Sequence, residues 1–369
     1  MDRFAACFDG LDDPRDDNAR HNLLEILIIA FATFLCGGEG CRDMQLFGLA
    51  KEPLLRQFLR LKHGIPSHDT FSRVFRLLDP VQFEACFRRF MEQFARASSG
   101  VIAIDGKTLR RSFDRAASRS PLHLVSAWAV ESGLMLGQVA TAEKSNEITA
   151  VPELLAMLCL KGMIVTADAM NCQRGTATRI IEGGGDFVLA LKSNQPAMHQ
   201  DVKLFFEDLA RSGDDTDVEV DKTGGRIETR AATVSTDIGW LQDRHAWPGL
   251  AAIGKIHRTR EIRGEITAHT AYYLLSTPLS AARFNRTVRE HWRIENSLHW
   301  VLDVAMNEDR ARNRKGHGPE NLALLRRLAL NAHRIEGSKG SVKGKLKRAG
   351  WDDNYLLRVL RQPIQQPIS

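Results

Sequence analysis

The hydrophobic pattern of the chain changes abruptly after residue 100, and the elements that follow restrict the fold more than any other feature. Short apolar or alternating runs predict strands, whereas apolar residues at helical spacing predict helices. The predicted elements are strands at Val101–Asp105, His123–Val130 and Leu134–Ala142, a helix at Glu147–Leu160, a strand at Met163–Asp168, a helix near Thr176–Glu182 and a strand at Asp186–Leu191. Their order is βββαβαβ.

This order indicates an α/β domain with a ribonuclease H-like core. Three consecutive strands followed by alternating helices and strands are expected of that fold, in which the first and fourth strands lie side by side. Asp105 and Asp168 each end one of those two strands. Because binding sites in such sheets cluster at strand ends, we expect these two carboxylates to be neighbours.

The flanking regions have different patterns. Residues 1–98 show only helical spacing, which predicts an all-helical N-terminal domain. DNA binding by this domain is a separate expectation. The break at Gly64-Ile-Pro66 is compatible with a helix-turn-helix, although short helices joined by turns also form plain bundles. The second predicted domain is 99–336, and residues 192–280 within it are predicted to form an inserted β-rich subdomain.

Inside that insertion, we expect an acidic turn at 214–217 followed by strands near 228–236, 251–260 and 269–276. Helical spacing returns near 287–304 and 319–335. The last predicted segment, 337–369, is a basic linker with a short C-terminal helix.

The charge of the chain favours a polyanionic partner. The formal net charge is +6 and the pI is near 9.1. Between Arg310 and Arg348 there are twelve Lys or Arg residues against two acids, Glu320 and Glu336. A solvated basic surface would account for this stretch equally well.

Neither a membrane segment nor a zinc site is expected. The longest apolar run, Leu23–Cys36, contains Glu25 and is shorter than the roughly 20 residues that a spanning helix needs. We expect a cytoplasmic protein that associates with the nucleoid when it is bound to DNA. The six cysteines form no CxxC pair, so neither zinc nor disulfides are expected.

Two strand-end aspartates suggest metal-dependent phosphoryl transfer. Such chemistry uses hard cations held by carboxylate oxygens from rigid elements. A third acid should come from the predicted helix at 287–304, where Glu295 is followed by His299 and Asp303 at four-residue intervals. Spacing alone leaves three alternatives to Glu295, namely Asp303, Glu308 and Asp309. Taken singly, each acid is more simply a turn, cap or surface residue.

Five motifs resemble the H-repeat-associated branch of bacterial insertion-sequence transposases. They are Ile104-Asp-Gly-Lys-Thr108, Glu143-Lys-Ser-Asn-Glu-Ile148, Thr166-Ala-Asp-Ala-Met-Asn-Cys-Gln173, Leu191-Lys-Ser-Asn-Gln195 and His291-Trp-Arg-Ile-Glu-Asn296. The resemblance implies a catalytic triad of Asp105, Asp168 and Glu295 that binds Mg²⁺, for which Mn²⁺ can substitute. It also implies cleavage and joining of double-stranded DNA, with the terminal inverted repeats of a mobile element and a target as substrates, by a homodimer.

The sequence departs from the wider superfamily around the third acid. Relatives there have a tyrosine, an arginine and a lysine where this chain has Val288, His291 and Leu302. Other groups must then contact phosphate, and the candidates are Arg289, Arg293 and His299 beside Glu295, together with Lys107, Arg110, Arg111, Lys192 and Asn194 near the aspartates.

Two other functions stay open at this point. A nuclease that cuts DNA without joining it would use the same three acids. A transposon-derived DNA-binding protein that has lost catalysis is the second, and its expected mark is loss of a triad acid.

Overall fold

The computed structural model describes residues 6–92, 100–114, 116–141, 146–208 and 214–361. Before residue 93 the described elements are all helical: α1 Leu23–Leu35, α2 Cys41–Ala50, α3 Glu52–Leu55, α4 His68–Leu77 and α5 Pro80–Glu92. Asn22 caps α1 by accepting from the Glu25 amide, and Ser67 caps α4 by accepting from the Thr70 amide. The predicted domain boundary near residue 98 lies outside the described residues.

The central elements follow the predicted βββαβαβ order. They are β1 Gly100–Thr108, β2 His123–Ala129, β3 Leu134–Thr141, α6 Glu147–Ala156, β4 Met163–Ala167, α7 Arg174–Glu182 and β5 Asp186–Leu191. β1 pairs with β2 in the antiparallel sense and with β4 in parallel. The first and fourth strands are therefore side by side, as the order of elements predicted.

The strands of the predicted insertion continue the same sheet. After α8 Pro196–Glu207, they are β6 Asp215–Thr223, β7 Arg226–Ser235, β8 Ala252–Ile262 and β9 Glu265–Leu275, with α9 Gly239–His245 between β7 and β8. The described strands form one nine-stranded sheet in the order β3-β2-β1-β4-β5-β9-β8-β7-β6. We call β6–β9 the β arm. It joins the core through antiparallel pairing of β9 with β5 and does not form a sheet of its own.

The strand β6 replaces the acidic turn that the sequence predicted. Its acids alternate with Thr216, Val218 and Val220, so a period of two runs through the segment. The acids on one face contact the helix that follows the arm: Asp215 accepts from the Ala281 amide and Asp217 from Asn285. This tertiary partner stabilises acids that look like turn residues when only the local sequence is considered.

The predicted helix at 287–304 is irregular. It consists of α10 Ala281–His291, a π-helical turn at Glu295–His299 and α11 Trp300–Ala305. In the π turn the Trp300 amide donates to the Glu295 carbonyl, five residues earlier. Such turns occur frequently at functional sites, because they shift side chains around the helix axis.

The C-terminal segment is folded and not a linker over its described part. α12 Gly318–Ile335 is followed by α13 Val342–Trp351 and α14 Asp353–Arg361. Leu346, Tyr355 and Leu356 are buried in the core that α1 and α12 form. The same core includes Val101 of β1 and Leu298 of the π turn. None of the helices in the described ranges has the length and apolar character needed to cross a membrane.

A buried ion-pair cluster links α12 to the sheet. The Lys107 ammonium on β1 binds Asp303, and it lies 3.0 Å from a Glu308 carboxylate oxygen. The other Glu308 oxygen lies 2.6 Å from the guanidinium of Arg327, a fully buried residue of α12. Burial alone would raise the pKa of Glu308, but the charges of Arg327 and Lys107 outweigh that effect and lower the pKa to about 2.

Replacing Glu308 with Gln should destabilise the protein by about 3–5 kcal/mol at pH 7, because two buried cations lose their anionic partner. The folded-state pKa of Glu308 is depressed, so its contribution is complete above about 4.5 and is lost as the pH falls toward about 2. In urea denaturation, the difference between wild type and Glu308→Gln should therefore shrink over that interval. Glu153→Gln on exposed surface is the control and should stay within roughly 0.5 kcal/mol of wild type. Equal stability of Glu308→Gln and wild type at pH 7 would contradict this account.

Candidate active site

The parallel pairing of β1 and β4 brings two predicted acids to one edge of the sheet. The register aligns Ile104 with Ala167, so Asp105 and Asp168 each follow the last aligned pair. Asp168 caps a short 3₁₀ turn, accepting from the Asn171 amide at 3.2 Å and from the Asn171 side chain at 2.9 Å. The carboxylate of Asp168 is thus oriented by the loop that begins at Asp168.

The third predicted acid, Glu295, begins the π turn and lines the same cavity. That cavity has a volume of about 790 Å³, and Asp105 and Asp168 are in its lining. Glu295 is exposed, and its carboxylate forms no hydrogen bond or ion pair within the described residues. The structure therefore brings the three acids to one cavity. Asp168 directly follows β4 and Glu295 lies on a helical turn, whereas Asp105 does not end its strand as predicted, because β1 continues to Thr108 through pairing with β2.

The alternatives to Glu295 have other partners. Asp303 binds Lys107, and the Glu308 carboxylate is held between Lys107 and Arg327. Asp309 lines the cavity, but one of its oxygens lies 3.9 Å from the Lys107 ammonium. Of these acids, Glu295 has the carboxylate that is most available to a ligand in the cavity.

The electrostatics of the site favour a cation. Burial first, and then the negative charges of Asp168, Glu295 and Glu147, raise the pKa of Asp105 to about 7 against a lowering backbone hydrogen bond from Gly106. Carboxylate oxygens are the ligands that Mg²⁺ and Mn²⁺ prefer. Among the residues that the structure describes, no three His, Cys, Asp or Glu side chains are already grouped closely enough to hold a metal ion. The acids therefore match the metal in chemistry, and they would have to move closer together to bind it.

His299 supplies a neutral ring beside Asp105. Its Nδ1 lies 3.4 Å from an Asp105 carboxylate oxygen. Burial lowers the pKa of His299 to about 3, and the positive charges of Lys107 and Arg327 lower it further. A neutral imidazole cannot provide the positive charge for which His299 was predicted as a phosphate contact.

A buried hydrogen-bond network behind the aspartates was not predicted from the sequence. The His123 ring contacts Thr108 at 2.8 Å through Nδ1 and binds the Glu147 carboxylate through Nε2. The other Glu147 oxygen accepts from the Asn171 side chain at 3.2 Å, and Asn171 in turn contacts Asp168. The only available signal was Glu147 itself, within the motif at 143–148, of which 143–145 lie outside the described residues.

The remaining predicted DNA contacts differ in position. Arg110 and Lys192 are exposed and line the cavity, and Arg111 and Arg293 are exposed outside its lining. Three others have internal or surface partners. Lys107 is buried in the ion-pair cluster, Asn194 donates to the Cys172 carbonyl, and Arg289 binds Asp221 at 2.8 Å. Their predicted role as free phosphate contacts is therefore corrected, because these partners already occupy their polar groups.

Comparison with known proteins gives a consistent family. The family described as "DDE_Tnp_1-associated" matches residues 5–91, and the "Transposase DDE domain" family matches residues 96–332. The "H repeat-associated putative transposase YhhI" of Escherichia coli K12 is 37% identical over 349 residues, covering 92% of each chain. The "Uncharacterized protein in dhlA 3'region" of Xanthobacter autotrophicus is 43% identical over 275 residues, covering 73% of this chain and 92% of that protein.

A solved structure of piggyBac transposase in a synaptic complex with hairpin DNA aligns with 96% of this chain and 77% of its own, at 14% identity and a TM-score of 0.41. That score is too low to carry an argument about the fold. The two family matches together span the helical region and the sheet that carries Asp105 and Asp168. On this evidence, the chain belongs to the DDE transposase family.

Proposed function

We propose that this protein is an active transposase that cleaves the ends of an insertion sequence and joins them to target DNA. The observation that carries the proposal is the convergence of Asp105, Asp168 and Glu295 on one cavity, where burial and the charges of the other two acids raise the pKa of Asp105. Such a site needs a cation. Family membership supplies the substrate class, since the relatives are named as transposases.

We further propose that the sheet core is ribonuclease H-like. The support is the parallel pairing of the first and fourth strands, with Asp105 and Asp168 each following the last residue pair of that register. In this reading, the N-terminal helical region and the basic stretch after Arg310 contribute to DNA binding. The DNA partners would be the terminal inverted repeats and the target, bound by a homodimer at the nucleoid in the cytoplasm.

In the proposed mechanism, Asp105, Asp168 and Glu295 hold Mg²⁺, or Mn²⁺ in its place. The metal supplies neutralisation of phosphate charge and activation of an oxygen nucleophile. The charges of Asp168 and Glu295 both act on Asp105, so its carboxylate would contribute to the site together with each of them. Asn171 fixes the orientation of Asp168. His299 contacts Asp105 as a neutral ring, so it adds no positive charge that would attract the phosphate.

Strand cleavage then uses water, and joining uses the 3′-hydroxyl that cleavage frees. Both reactions place an oxygen nucleophile against a phosphate at the same carboxylate cluster. No covalent link to the protein is needed, so the proposal assigns no serine or tyrosine nucleophile.

The triad is tested by Mg²⁺-dependent cleavage of DNA that carries the flanking inverted repeats. Changes to groups that only support a metal ligand cost about 10–100-fold in activity, so Asp105→Asn, Asp168→Asn and Glu295→Gln should each cost more than about 100-fold. Asp309→Asn, which removes a charge from the same cavity, should cost much less. A wild-type rate of DNA cleavage by Glu295→Gln would show that Glu295 is not a member of the catalytic triad.

DNA with pre-cut transposon ends distinguishes the proposed transposase from the two alternative functions, a nuclease and a DNA-binding protein without catalysis. Transfer of a pre-cut strand into a plasmid target distinguishes a transposase from a nuclease that only hydrolyses DNA. A wild-type protein that binds DNA but neither cuts nor joins it with Mg²⁺ or Mn²⁺ would instead be a relic without catalysis.

The loss of folding stability that the ionised Asp105 carboxylate causes can be measured without DNA. The folded-state pKa of Asp105 is raised, so its charge opposes folding increasingly as the pH rises from about 4 to about 7. In EDTA at pH 8, Asp105→Asn should therefore be more stable than wild type, by an amount on the order of a few kcal/mol. The difference should disappear near pH 4, as followed by thermal melting.

Glu308→Gln is the control for that measurement and should show the opposite sign, because the folded-state pKa of Glu308 is lowered and the change leaves Lys107 and Arg327 each with one anionic partner fewer. Millimolar Mg²⁺ should raise the melting temperature of wild type and not that of Asp105→Asn. Equal stabilisation of both proteins by Mg²⁺ would show that the ion binds elsewhere.

A further inference from the structure

The β arm carries a row of basic side chains on the face that reaches the cavity. Arg230 of β7 is directly opposite Arg258 of β8, and Arg258 is directly opposite His269 of β9. Directly opposed residues of antiparallel strands project from the same face. All three side chains line the cavity that contains Asp105, Asp168 and Glu295. We call Arg230, Arg258 and His269 the basic row.

The acids of this face do not neutralise the arginines. Glu228 is the ion-pair partner of Arg226, Arg230 and Arg260, at distances of 3.6, 3.0 and 3.5 Å. The nearby acids of β6, Glu219 and Asp221, are paired with Arg289. The single carboxylate of Glu228 is therefore shared by three guanidinium groups and cannot neutralise all of them.

Two arginine groups have spare hydrogen-bonding capacity. Nη1 of Arg230 is buried and has no hydrogen-bond partner among the described residues. Within the same residues, the Arg258 side chain forms no hydrogen bond or ion pair, although its charge is close enough to lower the pKa of Glu228. Their donors are thus available to an anion in the cavity.

Stability does not explain this arrangement. Like charges directly opposite each other on neighbouring strands destabilise a sheet. The pairing of Arg230 with Arg258 therefore costs folding free energy, and a buried donor without a partner costs more. A charged ligand that binds both arginines would offset the cost. Polar arrangements that oppose folding are expected at functional sites.

We propose that the basic row binds the sugar-phosphate backbone of the DNA strand next to the phosphate that undergoes attack at the three acids. The guanidinium fork matches phosphate oxygens in a bidentate geometry. Adjacent strands lie roughly 4.8 Å apart, so the row extends over about 10 Å along the cavity wall. The inference rests on the proposed function, and it assigns to the β arm the phosphate contacts that Lys107, Asn194 and Arg289 cannot provide.

The experiment measures binding to a labelled random-sequence duplex by fluorescence anisotropy, in EDTA, between 50 and 200 mM salt. Each phosphate contact contributes about 0.9 to the slope of log K against log salt. Arg258→Gln should therefore reduce the slope by about one unit and the double variant Arg230→Gln, Arg258→Gln by about two. Lys222→Gln is the matched control, because Lys222 alternates with Asp221 and projects from the other face of the arm. It should leave the slope unchanged.

A second readout separates binding from structure. Because Arg258→Gln relieves a like-charge pair, its melting temperature should equal or exceed that of wild type, and Arg258→Lys should retain most of the salt dependence. Unchanged slopes in both glutamine variants would overturn the inference. A lowered melting temperature that accompanies weaker binding would also overturn it, by making Arg258 a structural residue.

The outcome is independent of catalysis. If the slopes change as expected but wild type never cleaves DNA with Mg²⁺, the basic row stands as a DNA contact and the proposed catalytic function fails. If wild type cleaves DNA and the slopes are unaffected, the function stands and the basic row is excluded.

Discussion

Repulsion among acids that have no cationic partner in the fold is the constraint around which this structure is organised. Parallel pairing of β1 with β4 places Asp105 and Asp168 together, and the π turn adds Glu295 to the same cavity. The fold maintains this arrangement with surrounding groups that are firmly paired. Glu147 and Asn171 fix the loop at Asp168 from behind, and the buried cluster of Lys107 anchors α11 against β1. The positive charge of Lys107 is thus used for structure, and the acids keep their negative potential.

The sequence predicted the parts of this arrangement that depend on local pattern and on the order of elements. Apolar strand runs separated by turns or amphipathic helices indicated the central strands, and two of those strands ended in aspartates. Together with the family motifs, this was sufficient to select Asp105, Asp168 and Glu295, which the structure brings to one cavity. The physical reason is that strand order determines which strand ends are adjacent, even when no side-chain contact is known.

What the sequence did not reveal depends on partners distant in the chain. The acids of β6 resembled a turn because α10, which pairs with them, begins more than sixty residues later. Lys107 resembled a DNA contact because its partners Asp303 and Glu308 are about two hundred residues away. The π turn has no local signature, and a regular helix was the natural expectation for 287–304. Glu147 was quoted within a motif, but its role depends on contacts with β2 and the loop after β4.

The continuity of the β arm with the core sheet restricts how such proteins can change in length. β8 and β9 each have 11 residues, and β9 pairs with β5 only over its last four, from Tyr272 to Leu275. Side chains alternate between faces, so loss of one residue from β9 next to its pairing with β5 would turn His269 away from the cavity and bring a neighbour in its place. Insertions and deletions within these strands are therefore compatible with the site only in steps of two. In related chains, the strands of the β arm should therefore differ in length only by even numbers of residues, whereas the turns that connect them can vary in length freely.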